Sequence, residues 1–443
     1  MIDKALDKIN EIVPEKWKWV LSHEGFRKYF KNTGWMFFAK IFSLIISFIT
    51  IVFVVRRLGP ESYGQLSYAI SFVGLFSFIA TMGLDQILFR DLVKNPDESK
   101  RYLGSAFLIK LIAGFLAIAL CLSTALFFSS KDVSVILIFI IASSFIFNSF
   151  QVINYEFQAR VKSKYPSIAS LIIVLVLSIL KIIIVASGRG VIYLALILLL
   201  ESILYALFFV FIYRFKLKER ILKWEFNKKI ASSLIKDSWP IILSNAFIII
   251  YSRIDQVMIK GMIDVASVGL YDAAVRIAEA WYFIPGIIVS SLFPAIINAK
   301  LSSDFKYNDR LKKILFLLVF LSLLVAVPVA IFSKDIIISL YGLDFIGSIP
   351  ILKIYIWAGI GMSLSIILNS YLVAENFRRI IFISSFIAMT GNVILNLILI
   401  PRYGIAGAAW ATFFSYLLGP ISLLFFNKTR GRLLGILGFY KYN

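Results

Sequence analysis

Residues 168–187 read Ile-Ala-Ser-Leu-Ile-Ile-Val-Leu-Val-Leu-Ser-Ile-Leu-Lys-Ile-Ile-Ile-Val-Ala-Ser, and Lys181 is the only charge among them. A helix rising ~1.5 Å per residue crosses the ~30 Å hydrocarbon core of a bilayer in ~20 residues, so this stretch is long enough to span one. Further runs of the same kind lie at 34–55, 66–89, 103–128, 133–154, 191–213, 238–260, 270–298, 312–333, 349–374, 380–400 and 405–427. Lipid offers no partner to a peptide group, which leaves helices and closed barrels as the spanning structures. Barrel strands read as ~10-residue segments of alternating polarity, whereas these runs are longer and continuously apolar. With 60% hydrophobic residues and a mean hydropathy of +0.89, the chain carries more apolar side chain than a soluble core absorbs. The sequence therefore predicts an all-α integral membrane protein of about 12 transmembrane helices.

The net charge of +21, from 46 Lys and Arg against 25 Asp and Glu, invites a nucleic-acid reading that its distribution rejects. Basic residues concentrate in alternate loops. One set holds Lys16, Lys18 and Arg27, then Arg90, Lys94, Lys100 and Arg101, then Arg160, Lys162 and Lys164. It continues with a dense cluster from Arg214 to Lys236, then Arg310, Lys312 and Lys313, then Arg378 and Arg379, then Lys428, Arg430 and Arg432. The opposite loops hold Arg56, Arg57, Lys131, Arg189, Arg253, Lys260, Lys334 and Arg402. Positive-inside bias then places both termini in the cytoplasm.

One cysteine, Cys121, lies inside a run, and the single histidine, His23, lies in the polar N-terminal segment. No disulfide framework or His/Cys metal site is expected. The first run starts too late and runs too long for a signal peptide. Trp17, Trp19, Phe26 and Tyr29 among lysines suit either an interfacial amphipathic helix or a solvated tail. No Walker A sequence or nucleophile elbow is present, so no cofactor and no enzymatic reaction are expected, and energy must come from an ion or substrate gradient.

The basic connection 214–237 falls after six runs and before six more. It divides the chain into an N-terminal segment 1–33, a six-helix lobe 34–213, a linker 214–237, a second lobe 238–427 and a tail 428–443. A faint repeat supports two halves. Tyr63-Gly64 opens the second run as Gly269-Leu270-Tyr271 opens the eighth, and Gly190-Val191-Ile192 opens the sixth as Gly404-Ile405-Ala406 opens the twelfth. Equivalent spans would run in the same direction, related by an axis along the membrane normal. Pro285, Pro294 and Pro328 lie inside runs and should deform them.

Charges within the runs point to chemistry, since each costs at least ~2.5–3.5 kcal/mol to insert. Lys40, Lys110, Lys353 and Lys181 lie near run ends, where they either snorkel to the headgroups or line a cavity. Glu201 lies mid-run and must face a partner (Lys181 on the preceding helix), water, or stay protonated, which makes it a candidate for proton or sodium coupling. Asp272, Arg276 and Glu279 share a helical face and suit a self-neutralising triad. Arg253, Asp255 and Lys260 form a third group, Arg56 and Arg57 end the first run, and Asp85 and Arg90 flank the end of the second. Guanidinium forks suit phosphate oxygens. Asn392 and Asn396 share a face, and Asn148, Asn245 and Asn369 interrupt runs, as interhelical hydrogen bonders or sugar contacts.

Four stretches carry a resemblance to a known family. They are Asn32-Thr33-Gly34-Trp35; Arg57-Leu58-Gly59-Pro60-Glu61-Ser62-Tyr63-Gly64; Arg253-Ile254-Asp255-Gln256 through Val268-Gly269-Leu270-Tyr271-Asp272 to Arg276-Ile277; and Pro401-Arg402-Tyr403-Gly404. Their order and the six-plus-six layout resemble Wzx-type polysaccharide flippases of the MOP (MATE-like) superfamily. The resemblance implies a V-shaped, two-lobed bundle in a bacterial or archaeal cytoplasmic membrane. It implies alternating-access transfer of undecaprenyl-diphosphate-linked oligosaccharide, with H+ or Na+ coupling and with other polysaccharide assembly membrane proteins as further partners. Carried onto this chain, Arg57, Arg253 and Arg276 would meet the diphosphate, backed by Arg56, Lys40 and Lys110, with Glu201, Asp255 and Glu279 as coupling carboxylates. A multidrug or cation antiporter and a lipid II flippase share the expected fold. A membrane polymerase or ligase would need a large outward loop, and the longest here is 334–348.

Overall fold

A computed structural model describes residues 24–129 and 133–436. The N-terminal aromatic segment up to His23 and the last residues of the tail lie outside the described residues. Helix α1 (Glu24–Gly74) carries the first run and the start of the second, and bends at Gly59 with φ 71° and ψ 172°. A side chain tolerates that left-handed φ poorly, and Pro60 then takes the first position of the next helical stretch, where its missing N–H is no loss. The second run is thus split: after Gly74 come the short helices α2 (Ser77–Thr81) and α3 (Leu84–Lys94). Then follow α4 (Ser99–Ser129), α5 (Val133–Ala142), α6 (Ser144–Asn148), α7 (Val152–Ala159), α8 (Lys164–Ala186) and α9 (Val191–Lys216).

Helix α10 (Lys228–Met262) opens the second half, followed by α11 (Val265–Glu279), α12 (Phe283–Ser302), α13 (Asp304–Ile331), α14 (Ser333–Tyr341) and α15 (Ser348–Tyr355). The chain closes with α16 (Ala358–Ala374), α17 (Arg378–Tyr403), α18 (Ile405–Ser422) and α19 (Asn427–Ile436). Eleven of these stretches are long and apolar enough to cross a membrane. Twelve runs become eleven because α1 absorbs the first and part of the second. The connection 334–348 is largely helical, occupied by α14 and a 3-10 turn at Leu343–Phe345.

Close contacts group the chain into two units: residues 1–54 with 76–239, and residues 55–75 with 240–443. In the first unit, α4 shows how membrane helices pack. Ala106, Ala113, Ala117, Cys121 and Ala125 form a buried stripe of small side chains, while Ile112, Phe115, Leu116 and Leu120 lie exposed. Small inward faces let helix backbones approach, and large outward ones suit lipid. The connection from α9 to α10 lies against α4, where Asn227 N–H donates to Ser105 Oγ (3.0 Å) and Trp224 packs on Phe107 at 5.4 Å. In the second unit, Val289, Ile296, Leu311, Leu318, Ile367 and Tyr371 build an apolar core among α12, α13 and α16.

Two of the glycines quoted for the expected repeat meet inside the second unit. The stretch after Pro60 crosses α11 at Gly64 and Gly269. A Cβ placed on Gly64 would overlap the Val265 carbonyl, and one placed on Gly269 would overlap the Pro60 carbonyl. Each glycine meets the residue four before the other, as expected across a local two-fold axis. The helix breaks agree: the interruption after Gly74 and the one after Glu279 fall at the same offset that relates Gly64 to Gly269. Pro285 sits in the first turn of α12 just past that second break, while Pro294 and Pro328 lie within helices.

Gly64→Ala or Gly269→Ala is expected to force the two backbones apart and lower stability by roughly 1–3 kcal/mol, the usual range for overpacking. Gly286→Ala, where an added methyl meets open space, should leave the unfolding temperature in detergent essentially unchanged. Equal behaviour of all three would refute the crossing.

Candidate functional site

Two buried carboxylates organise the second unit. Asp255 lies near the end of α10, 3% exposed. It accepts hydrogen bonds from Tyr271 Oη of α11 at 2.7 Å, Asn396 Nδ2 of α17 at 2.6 Å, and Thr412 Oγ1 of α18. Asn396 Nδ2 also donates to Asn392 Oδ1 at 3.1 Å, and Tyr271 Oη lies 3.2 Å from Thr412 Oγ1. Among the described residues no Lys or Arg forms an ion pair with Asp255. Two amide atoms beside it, Asn392 Nδ2 and Asn396 Oδ1, are buried without partners. Four helices thus converge on one carboxylate that neutral groups alone surround.

Asp272 follows Tyr271 on α11 and faces another way. It accepts from Gln256 Nε2 (2.8 Å), Arg276 Nε (2.8 Å) and Tyr63 Oη. Arg276 Nε also donates to Tyr63 Oη at 2.5 Å. Successive residues of α10 therefore pair with successive residues of α11: Asp255 with Tyr271, and Gln256 with Asp272. The Gly64–Gly269 crossing supplies the short distance that brings Tyr63 into this group. Unlike Asp255, Asp272 has a full countercharge at hand.

Glu279 leaves the expected triad. It accepts instead from Tyr355 Oη of α15 at 2.8 Å, and the Tyr355 ring stands edge-on to Tyr271 at 6.1 Å. Side chains on a helix lean toward its N-terminus, so Arg276 turns back to Asp272 rather than forward to Glu279. Arg253 is partly buried, makes no ion pair among the described residues, and its charge acts on both Asp272 and Glu279. Lys260 lies 4.0 Å above the Tyr68 ring. Arg56 donates to the Ser339 carbonyl at 3.3 Å. Arg57 lies in the same unit, directly after Arg56.

The remaining candidates lie in the first unit. Lys110 does not snorkel: its side chain is 4% exposed, its Nζ lies 2.6 Å from Asp85, and it stacks on Tyr155 at 5.3 Å. Glu201 has the partner proposed for it, Lys181 Nζ at 3.3 Å. Lys40 is exposed along α1. The structure thus gathers Arg253, Asp255, Arg276 and Glu279 around α10 and α11 in the second unit, and places Lys40, Lys110 and Glu201 in the first. Sequence reasoning missed Tyr63, Tyr271, Tyr355, Gln256 and Thr412. Their signal was present only as position, since Tyr63, Tyr271 and Gln256 all lie inside the quoted motifs.

Asp272→Ala is expected to destabilise by roughly 2–4 kcal/mol, because it strands three donors, the Arg276 guanidinium among them, the lower end reflecting partial solvent access to that arginine. In a double-mutant cycle, Asp272→Ala/Arg276→Ala should fall short of the sum by roughly 1–3 kcal/mol. Strict additivity in urea or thermal unfolding would show that the pair is not coupled.

The polysaccharide biosynthesis protein family matches residues 29–300 of this chain. Among curated relatives, the capsular polysaccharide biosynthesis protein CapF of Staphylococcus aureus is 22% identical over 90% of this chain and 99% of its own length. The probable flippase AglR of Haloferax volcanii is 27% identical over 39% of this chain, a match that spans 37% of AglR. Among solved structures, an inward-facing multidrug resistance MATE transporter of the MOP superfamily shares 14% identity with a TM-score of 0.75, over 90% of this chain and 96% of its own. That likeness establishes the fold as the one of MOP transporters. With more than half its length matched, the chain belongs to the polysaccharide biosynthesis protein family.

Proposed function

We propose that this protein is a flippase that moves undecaprenyl-diphosphate-linked oligosaccharide from the cytoplasmic to the outer leaflet of a cytoplasmic membrane, driven by a cation at Asp255. Family membership and a transporter fold support the glycan-lipid substrate class. The loop charge bias supports cytoplasmic termini, and the repeat supports two six-helix halves, 34–213 and 238–427, as the parts that rock. A diphosphate with attached sugars meets a prohibitive desolvation cost in bare hydrocarbon. A guanidinium in a membrane helix lowers that cost, and Arg253 is the best placed, since no carboxylate of the described chain holds it in an ion pair.

The observation that carries the coupling assignment is the state of Asp255. A buried carboxylate without a countercharge is costly, and its neighbours are hydroxyl and amide groups that serve equally well as cation ligands. Rotating the Asn396 amide end for end would present its unpartnered Oδ1 in place of Nδ2. One carboxylate with neutral oxygens balances a monovalent cation. Among the described residues no three acidic, His or Cys groups converge as a divalent site would require. Glu201 and Glu279 rank below Asp255, because Lys181 compensates the first and the charges of Arg253 and Arg276 act on the second.

The test is transfer of a fluorescent undecaprenyl-diphosphate oligosaccharide in proteoliposomes under imposed Na+ or H+ gradients. Arg253→Ala should slow transfer roughly tenfold or more, the scale of a lost charge-assisted contact to phosphate. Asp255→Asn should abolish the response to the gradient. Export of small organic cations with no lipid-linked sugar moved would overturn the flippase reading. Flipping that ignores both gradients, or that still responds to one in Asp255→Asn, would overturn the coupling assignment.

A further inference from the structure

A narrow cavity of about 40 Å³, room for a few waters, lies inside the second unit, walled by α10, α16, α17 and α18. Its polar wall consists of Ser365, Asn369, Ser384, Ser385 and Ser415, and no charged side chain lines it. Tyr251 and Tyr416 close one end, their rings edge-to-face at 5.5 Å and 79°. We propose that this cavity is the aqueous vestibule by which the coupling cation reaches Asp255, and that the Tyr251–Tyr416 pair is the barrier at its inner end. The proposal rests on the assignment of Asp255 as the cation site.

The register of three helices carries it. Tyr251 precedes Asp255 by one turn on α10, Ala388 of the cavity wall precedes Asn392 by one turn on α17, and Tyr416 follows Thr412 by one turn on α18. At ~1.5 Å per residue, the cavity therefore stops ~6 Å short of the Asp255 cluster along all three helices at once. Tyr251 and Tyr416 are the cavity-lining residues at that step on α10 and α18.

The wall chemistry suits passage. Ser384 Oγ donates to the Ile381 carbonyl at 3.0 Å, and Ser415 Oγ donates to the Ala411 carbonyl. Each hydroxyl proton is thus consumed by its own helix, which leaves oxygen lone pairs for water or a cation. Weak neutral oxygens in series hydrate an ion without trapping it, whereas a carboxylate in the wall would hold it. The barrier is also well anchored: an added Cβ on Gly361 would come within 2.8 Å of the Tyr416 backbone, so the α16 and α18 backbones touch there. The cavity lies toward the ends of α17 and α18 that carry Arg378 and Asn427, the cytoplasmic side by loop charge.

A barrier alters how fast an ion enters and leaves while leaving its equilibrium affinity alone, which a packing role would not do. The experiment uses the full chain in proteoliposomes, with 22Na+ binding and exchange measured together. Ser385→Cys in a Cys121→Ala background, treated after folding with a cationic methanethiosulfonate, should exchange Na+ roughly tenfold more slowly with Kd held within about twofold, and Tyr416→Ala should exchange faster by a comparable factor. Exchange indifferent to modification, or a thiol that does not react, overturns the vestibule while Asp255-dependent binding persists. Wild-type protein that binds no Na+ overturns the vestibule as a Na+ path, and Asp255→Asn that binds Na+ equally well overturns the Asp255 site itself and the vestibule with it.

Discussion

Two helix backbones meet at Gly64 and Gly269 with no side chain between them, and much of the second unit's chemistry follows from that contact. It holds the stretch after Pro60 against α11 closely enough for Tyr63 to reach Asp272. It thereby fixes the rotation of α11, and Tyr271, one residue earlier, is turned toward Asp255. A larger residue at either glycine would translate α11 and disturb both networks together. The motif residues that looked like loop punctuation in the sequence, Gly59-Pro60 and Val268-Gly269, are the ones that build the crossing.

The two carboxylates on either side of this helix are treated differently. Asp272 has an arginine, a tyrosine and a glutamine, so its charge is balanced whatever else the protein binds. Asp255 has donors but no countercharge, and two amide atoms beside it are left unpartnered. A fully satisfied buried network fixes one structure, while an incompletely satisfied one lowers its energy by taking up a ligand. The first therefore suits a structural joint and the second a loading site.

The membrane class, the helical architecture and most span positions were legible in the sequence, because ~20 apolar residues in lipid have few alternatives to a helix. The break in the second run was not, since residues 66–89 are as apolar as an unbroken span. Only the αL glycine at Gly83 and the left-handed Met82 mark its end, and hydropathy carries no backbone angle. Lys110 was read by depth as snorkelling or cavity-lining, but its partner Asp85 lies on a helix that forms only because that run is broken. Glu279 was assigned to its own helical face, whereas its partner Tyr355 comes from α15, a pairing that spacing along one helix does not encode. The two hydroxyls and the amide around Asp255 are illegible for the same reason, being contributed by three separate helices.

The repeat makes the position of Asp255 informative. At the offset that superposes Gly64 on Gly269, Thr50 stands where Asp255 stands, and its hydroxyl is spent on its own helix, donating to the Ile46 carbonyl at 2.7 Å. At the offset that relates Gly190 to Gly404, Ser178 and Leu198 stand in place of Asn392 and Thr412. A duplicated frame, as the sequence expects, would offer two equivalent positions for the proposed cation, and among the described residues the carboxylate and its ligands stand at one of them. A ligand shifts a conformational equilibrium only by its differential affinity for the two states. Two identical sites in two like halves would give that difference little direction. On the proposed assignment of Asp255, loading that one position gives a single ion a defined element to bias, the one that joins α10 and α11 to α17 and α18.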